Sequence, residues 1–156
     1  MRTSKAPPPS ARTTSAYDAA AVSASGTWSD AETAAASYSD VVRAEGGGAF
    51  DVLMLGVGPD GHIASLFPGH PGLSVTDAIA TAVHDSPKPP PDRVTLTFEA
   101  FDRSHAVWFL VSGEGKADAV ARGLADEGTV TETPARGVRG MTETTWFLDH
   151  DAASRL

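Results

Sequence analysis

An almost entirely apolar stretch that runs into a cluster of glycines constrains the fold of this chain most. In Phe50–Leu55 only Asp51 is polar. A strand that is apolar on both faces is typical of a parallel sheet with helices on either side. Gly56, Gly58 and Gly61 follow directly. We therefore predict a buried parallel strand whose carboxyl end leads into a ligand-binding loop, because α/β sheets bind their ligands at that edge.

Helices and further strands alternate around this stretch. Ser29 and Glu32 form a capping-box pattern before a predicted helix over Asp30–Glu45, which Gly46–Gly48 ends. Additional strands are predicted over Ala78–Val83, Arg93–Phe98, Ala106–Ser112 and Thr144–Leu148, and helices over Gly115–Ala125 and Asp151–Leu156. This alternation predicts an α/β domain with a mostly parallel sheet.

Length and composition exclude several classes of protein. The 156 residues suit one domain, and the longest apolar run, Ala106–Val111, is too short to span a membrane. The absence of cysteine excludes a thiol nucleophile, a zinc finger and an iron–sulfur site. With a net charge of −8, we expect neither nucleic acid nor a membrane as a partner.

The first 28 residues differ in character from the rest. They are rich in proline, serine, threonine and alanine, and Pro7–Pro9 cannot lie inside a helix. We expect residues 1–28 to be disordered or unrelated to the domain at 29–156, because they have little apolar surface to bury. A transit peptide is an alternative, but no amphipathic stripe is visible, so we favour a linker or a wrongly assigned start.

Asp60 and His62 are the best candidates for chemistry. A histidine exchanges protons near neutral pH, and a carboxylate two residues away can fix its tautomer. Ser65 is close by, but the segment lacks the G-x-S-x-G nucleophile elbow. General-base activation of water is therefore the better chemical interpretation. The residue types leave a structural alternative equally open, in which Asp60-Gly61 is a turn and His62 starts a helix.

The whole motif Gly56–Pro68, GVGPDGHIASLFP, resembles the signature of the 6-phosphogluconolactonase family, which shares its fold with glucosamine-6-phosphate isomerases. The isomerase branch has Asn-Glu-Pro where this chain has Ser65–Gly69, so the acidic residue is missing and the resemblance favours lactonase. Similar segments follow at Pro91–Thr97, Val111–Ala117, Pro134–Arg136 and Trp146–Asp149.

The resemblance covers about residues 29–156 and implies a three-layer, mostly parallel Rossmann-like sheet with flanking helices. It also implies that the family's N-terminal strands are missing. Neither the family's Gly-Gly-Ser/Thr phosphate loop nor its Asp-Glu-Arg segment is found before Ser29. Residues 29–156 would then form a partial domain, and its exposed sheet edge could support self-association.

The resemblance also assigns roles to residues. It implies cytoplasmic hydrolysis of 6-phospho-D-glucono-1,5-lactone to 6-phosphogluconate in the pentose phosphate pathway, with no cofactor and no metal. His62 would activate water, Asp60 would orient the imidazole of His62, and Lys116 would bind the substrate phosphate. Arg93 would be a second anion contact, unless it pairs with Asp92 or Glu99 at the surface. The substrate-binding candidates are Gly56, Gly58, Gly61, Ser65, Arg93 and Lys116.

Two alternatives accompany this hypothesis. One is a truncated fragment of the enzyme with weak or no activity, and the less favoured one is an isomerase of amino-sugar phosphates.

The remaining histidines have no metal-ligand spacing, and we expect four aromatic residues in the core: Trp108, Phe109, Trp146 and Phe147.

Overall fold

A parallel sheet lies at the centre of the protein. The computed structural model describes residues 30–156 and the backbone of Thr13–Ser15. In chain order its elements are β1 (Thr13–Ser15), α1 (Ala31–Gly46), β2 (Val52–Leu55), β3 (Ala80–Val83), β4 (Arg93–Leu96), α2 (Phe98–Asp102), β5 (Ala106–Val111), α3 (Ala117–Leu124) and β6 (Glu143–Leu148). The main sheet has the order β1-β2-β5-β6, and each pairing in it is parallel. The predicted α/β class with a mostly parallel sheet and flanking helices is confirmed.

Strand β1 lies within residues 1–28, where we predicted no regular structure. It pairs with β2 in parallel, from Thr13 opposite Val52 to Ser15 opposite Met54. Strand β2 is flanked on its other side by β5, so β1 supplies hydrogen-bond partners for its second edge. Composition alone does not reveal this pairing, because the partner is distant in sequence. The rest of the 1–28 segment lies outside the described residues, and the predicted boundary there stays a prediction.

Helix α1 begins one residue later than its predicted capping box requires. Asp30 is the N-cap, and its Oδ1 accepts a hydrogen bond from the Thr33 amide at 2.7 Å. The predicted cap at Ser29 is therefore wrong; both residue types are good caps, and the sequence does not choose between them. Gly47 ends the helix at φ 66°, a left-handed conformation that suits glycine, as predicted.

Strands β3 and β4 form a separate antiparallel pair rather than part of the parallel sheet. The pair packs against α1, where Ser39 Oγ accepts a hydrogen bond from the Ala80 amide at 3.0 Å. Strand β4 ends at Leu96, earlier than the predicted Phe98, because Thr97 is the N-cap of α2. Sequence analysis missed this short helix.

His84 links α1 to the loop before β4. Its Nε2 donates to Glu32 Oε1 at 2.5 Å and its Nδ1 donates to Asp92 Oδ1 at 2.7 Å. Both ring nitrogens can donate only when the imidazole is protonated. The hydrogen bonds to Asp92 and Glu32 accordingly raise the pKa of His84. The contribution of His84 to folding stability is therefore fully present below the ordinary histidine pKa of about 6.5. It is lost as the pH rises through the raised pKa that His84 has in the folded protein.

The aromatic residues of β5 and β6 divide between the two faces of the sheet. Phe109 is fully buried and stacks on Trp146, with ring centroids 4.0 Å apart. Phe147 is 47% exposed, and Trp108, which contacts it edge-on, donates from Nε1 to Glu143. A core position is thus confirmed for Phe109 and wrong for Phe147, because neighbouring residues of a strand point to opposite faces.

The segments after β5 and β6 are tied together. The Asp149 carboxylate accepts hydrogen bonds from the Gly113 amide at 3.0 Å and the Ala152 amide at 2.7 Å. Turns replace the helix predicted over Asp151–Leu156, because the amides of Ser154 and Leu156 donate to carbonyls three residues back rather than four. The helix predicted over Gly115–Ala125 is a 3-10 turn followed by α3. Within the described residues, no helix is long and apolar enough to cross a bilayer.

Replacing a phenylalanine by alanine should destabilise the protein by different amounts on the two faces of the sheet. We expect Phe109→Ala to lower the free energy of unfolding by about 3–5 kcal/mol, because it leaves a cavity against Trp146. Phe147→Ala, the matched control on the neighbouring strand, should cost roughly 1 kcal/mol or less. Urea unfolding of both variants measures the difference, and equal costs would contradict this assignment of the core face.

Candidate functional site

The carboxyl ends of β2 and β5 place two loops side by side. The strands pair in parallel up to Leu55 opposite Phe109, so the chain after each strand leaves at the same edge. Lys116, in the loop after β5, donates from Nζ to the Val57 carbonyl at 2.7 Å, in the loop after β2. The sheet thus brings the glycine-rich motif and the predicted phosphate-binding lysine together.

Asp60 and His62 form a short hydrogen bond at this edge. His62 Nδ1 lies 2.5 Å from Asp60 Oδ1, and the His62 amide donates to the same oxygen at 3.2 Å. An ionised carboxylate only accepts hydrogen bonds, so the ring carries its proton on Nδ1. No described residue hydrogen-bonds to Nε2, which leaves its lone pair able to accept a proton. The His62 side chain is only 15% exposed, against 40% for Asp60.

The surroundings favour the neutral form of His62. Burial lowers the pKa of His62, the Asp60 hydrogen bond and charge raise it, and Lys88 and Lys116 lower it again. The net pKa lies below the ordinary histidine value. Burial alone would raise the pKa of Asp60, but the hydrogen bonds and charge of His62 hold it below its usual value. At neutral pH the pair is therefore a carboxylate and a neutral imidazole.

Two of the three predicted glycines are needed for this geometry. A Cβ at Gly58 would lie 2.0 Å from His62 Nδ1, so only glycine leaves room for the ring. Gly61 has φ 90° and packs against Thr133, where a Cβ would lie 2.8 Å from a methyl group. Gly56 is exposed, and a Cβ there would meet nothing within 4 Å. The substrate-binding roles predicted for these glycines stay predictions.

Ser65 and Arg93 support the wall of the site. Ser65 is buried; its amide donates to Thr95 Oγ1 at 3.1 Å, and its hydroxyl accepts from Arg93 Nη1 at 3.4 Å. Arg93 also lies over the Phe67 ring, which contacts the His62 ring with centroids 4.6 Å apart. The alternative pairing of Arg93 with Asp92 or Glu99 is not found, because those carboxylates bind His84 and Arg103 instead.

Sequence analysis did not single out Lys88, whose charge acts on two residues of the site. Lys88 lies in the proline-rich loop Pro87–Pro91, where its carbonyl accepts a hydrogen bond from Arg93 Nη2 at 2.6 Å, and its charge lowers the pKa of both His62 and Lys116. For Lys116, burial is the larger cause, Lys88 adds to it, and Asp60 acts in the opposite direction. A lone cation in a proline-rich loop was the signal available in the sequence, since such loops commonly carry functional residues.

An open cavity of about 500 Å³ adjoins Asp60, and its lining includes Thr133, Arg122 and Arg136. Both arginines donate to backbone carbonyls: Arg122 to Pro59 at 3.1 Å, and Arg136 to Ala125 at 2.7 Å. Arg136 therefore caps the end of α3. Within the described residues, no three histidine, aspartate or glutamate side chains are grouped so that they could hold a metal ion.

The chain is similar to known proteins of one family. The family model described as glucosamine-6-phosphate isomerases/6-phosphogluconolactonase matches residues 4–146. The chain belongs to this family. The match begins at residue 4 and so includes most of residues 1–28, and the boundary predicted at residue 28 stays a prediction.

Relatives within the family carry the lactonase name. The 6-phosphogluconolactonase of Streptomyces coelicolor is 49% identical over 135 residues, which cover 82% of this chain and 51% of the relative. That of Mycobacterium tuberculosis is 48% identical over 132 residues, covering 81% and 53%. The structure of 6-phosphogluconolactonase from Trypanosoma brucei superposes with a TM-score of 0.73 at 30% identity, covering 84% and 56%. The chain spans about half the length of these relatives.

The close approach of Gly58 to the imidazole gives a direct test of the site geometry. We expect Gly58→Ala to displace His62 and to abolish the downfield NMR signal of its Nδ1 proton, because the new methyl group would overlap the ring. Gly56→Ala is the matched control, since a Cβ there meets nothing within 4 Å. An unchanged signal in Gly58→Ala would contradict the described contact.

Proposed function

We propose that this chain hydrolyses 6-phospho-D-glucono-1,5-lactone to 6-phosphogluconate, with water as the nucleophile. The observation that carries the proposal is the mostly buried His62, held by Asp60 through Nδ1 and able to accept a proton at Nε2. Two relatives at 49% and 48% identity are 6-phosphogluconolactonases, which supports the same reaction here.

The reaction needs one base that later acts as an acid. Nε2 of His62 takes a proton from water as the water oxygen attacks the lactone carbonyl, and a tetrahedral oxyanion forms. When the carbonyl re-forms, the bond between the carbonyl carbon and the ring oxygen breaks, and the imidazolium returns the proton to that oxygen. Asp60 stabilises the imidazolium between these steps. Because it binds Nδ1, it also leaves Nε2 on the side of the ring that faces away from Asp60. Lactone and water are consumed, and the hydroxy acid is formed.

Lys116 supplies the charge for the substrate's phosphate. Its Nζ is fixed by the Val57 carbonyl at 2.7 Å, next to the glycine-rich loop that carries the base. It also stands just before α3, where the helix dipole favours an anion. A phosphate held there would keep the lactone within reach of the loop after β2.

Removal of the base should abolish turnover. We expect His62→Gln to lower kcat/KM for the lactone by about 10²–10⁴-fold, the usual contribution of a general base. The measurement is hydrolysis corrected for spontaneous ring opening. His150→Gln is the matched control, because His150 is fully exposed. Equal rates in His62→Gln and the unmodified protein would contradict the assignment of His62.

The pH profile should report His62. Activity requires the neutral ring, so the acid limb of kcat/KM should have its midpoint below the ordinary histidine pKa of about 6.5. In Asp60→Asn the carboxylate that raises the pKa of His62 is gone, so the acid limb should move to lower pH while kcat falls. A shift to higher pH would contradict the described electrostatics.

A pair of substrates tests the phosphate role of Lys116. We expect Lys116→Gln to raise KM for the phosphorylated lactone by about tenfold, since one charge-assisted hydrogen bond is lost. KM for the unphosphorylated lactone should stay within about twofold. Equal losses for both substrates would remove Lys116 from phosphate binding.

The alternatives make different predictions for the same protein. A fragment without activity would show no His62-dependent rate while circular dichroism shows it folded. An isomerase would act on amino-sugar phosphates, but Ser65 and Phe67 are buried at the place of that branch's acidic residue. Self-association through an exposed sheet edge and a cytoplasmic location stay predictions.

A further inference from the structure

The donors of Arg93 are directed at the protein rather than at the site. Its Nε donates to the Pro90 carbonyl at 3.0 Å, and its Nη2 donates to the Lys88 carbonyl at 2.6 Å and the Pro89 carbonyl at 3.0 Å. Nη1 donates to Ser65 Oγ at 3.4 Å. Each nitrogen of the guanidinium therefore has a protein acceptor, which leaves little donor capacity for a substrate.

These contacts fasten the Lys88 loop to the catalytic motif. Phe67, under the Arg93 guanidinium, is buried and in contact with the His62 ring. The planar fork of Arg93 thus connects three carbonyls of the loop with Ser65 and Phe67, two residues of the motif. A lysine at position 93 would keep the charge but could not satisfy these acceptors together.

Lys88 and Lys116 leave the site with unbalanced positive charge. Neither lysine forms an ion pair with a carboxylate among the described residues, although the chain as a whole has a net charge of −8. The carboxylate whose charge acts on Lys116 is that of Asp60, which is already bound to His62. Two like charges that repel each other, with no salt bridge among the described residues, favour the binding of an anion.

We propose that Lys88 is a second cation for the anionic group of the substrate, a phosphate monoester, and that Arg93 is the positioning residue that holds Lys88 there. This proposal rests on the proposed function for the identity of the substrate, but it assigns Arg93 to the loop rather than to the ligand. The anion is shared between Lys88 and Lys116, beside the imidazole of His62.

Inorganic phosphate is the probe that tests this arrangement without turnover. We expect Lys88→Gln to weaken phosphate binding by about tenfold in an NMR titration of the full chain, the effect of losing one charge-assisted hydrogen bond. Lys88→Arg should restore binding to within about threefold. Arg103→Gln is the control for net charge, because Arg103 is exposed and precedes β5 at the opposite edge of the sheet.

A double-mutant cycle separates positioning from direct contact. Arg93→Lys should weaken phosphate binding about as much as Lys88→Gln, although the charge is kept, and the double variant should be no weaker than either single variant. Both single variants should raise the pKa of His62, measured by NMR, because the Lys88 charge is removed or displaced. Additive losses in the double variant would show that Arg93 contacts the anion itself and would overturn the positioning role.

The remaining outcomes are also decisive. Unchanged phosphate affinity in Lys88→Gln would overturn the role of Lys88 as a second cation. This result holds even if the Arg93→Lys variant fails to fold. If phosphate binding and the pKa of His62 shift as expected but the lactone is not hydrolysed, the anion site stands and the proposed reaction fails. If the lactone is hydrolysed with wild-type KM in Lys88→Gln, the reaction stands and the anion site fails.

Discussion

The parallel pairing of β2 with β5 is the interaction on which the site depends. Its register, from Val52 opposite Ala106 to Leu55 opposite Phe109, is fixed by buried side chains on one face. A slip of one residue would turn Leu55 and Phe109 toward the other face. With the register fixed, the loops after the two strands meet, and the Lys116–Val57 hydrogen bond joins them.

The parts of the site that sequence analysis could predict are local in the chain. Asp60 and His62 are two residues apart, and the glycines between the strand and the histidine indicate a tight loop. The contacts that connect Arg93 to Ser65 and bring Lys88 to the site cross from the antiparallel β3–β4 pair. The spacing of apolar residues along the sequence does not predict such contacts, because they depend on how two sheets pack. The pairing of β1 with β2 was missed because the two strands are distant in sequence.

Two opposing effects set the protonation of His62. Asp60 favours the imidazolium, while burial and the two lysines favour the neutral ring, and the second group prevails. This balance suits a general base, which must be unprotonated before it accepts a proton and must be stabilised once it has accepted it. Asp60 acts mainly on the imidazolium, since its carboxylate is in place before the positive charge develops on His62.

Anion binding and proton transfer are linked through the same lysines. A phosphate that neutralises Lys88 and Lys116 removes the repulsion that lowers the pKa of His62, so His62 becomes a stronger base in the complex than in the free protein. Linkage is reciprocal, so protonation of His62 must also strengthen phosphate binding. The site is therefore least basic when it is empty and gains basicity when a phosphorylated substrate arrives. The hydrogen bond from Arg93 to the Lys88 carbonyl supports this coupling, because it keeps the backbone that carries the Lys88 charge next to the motif.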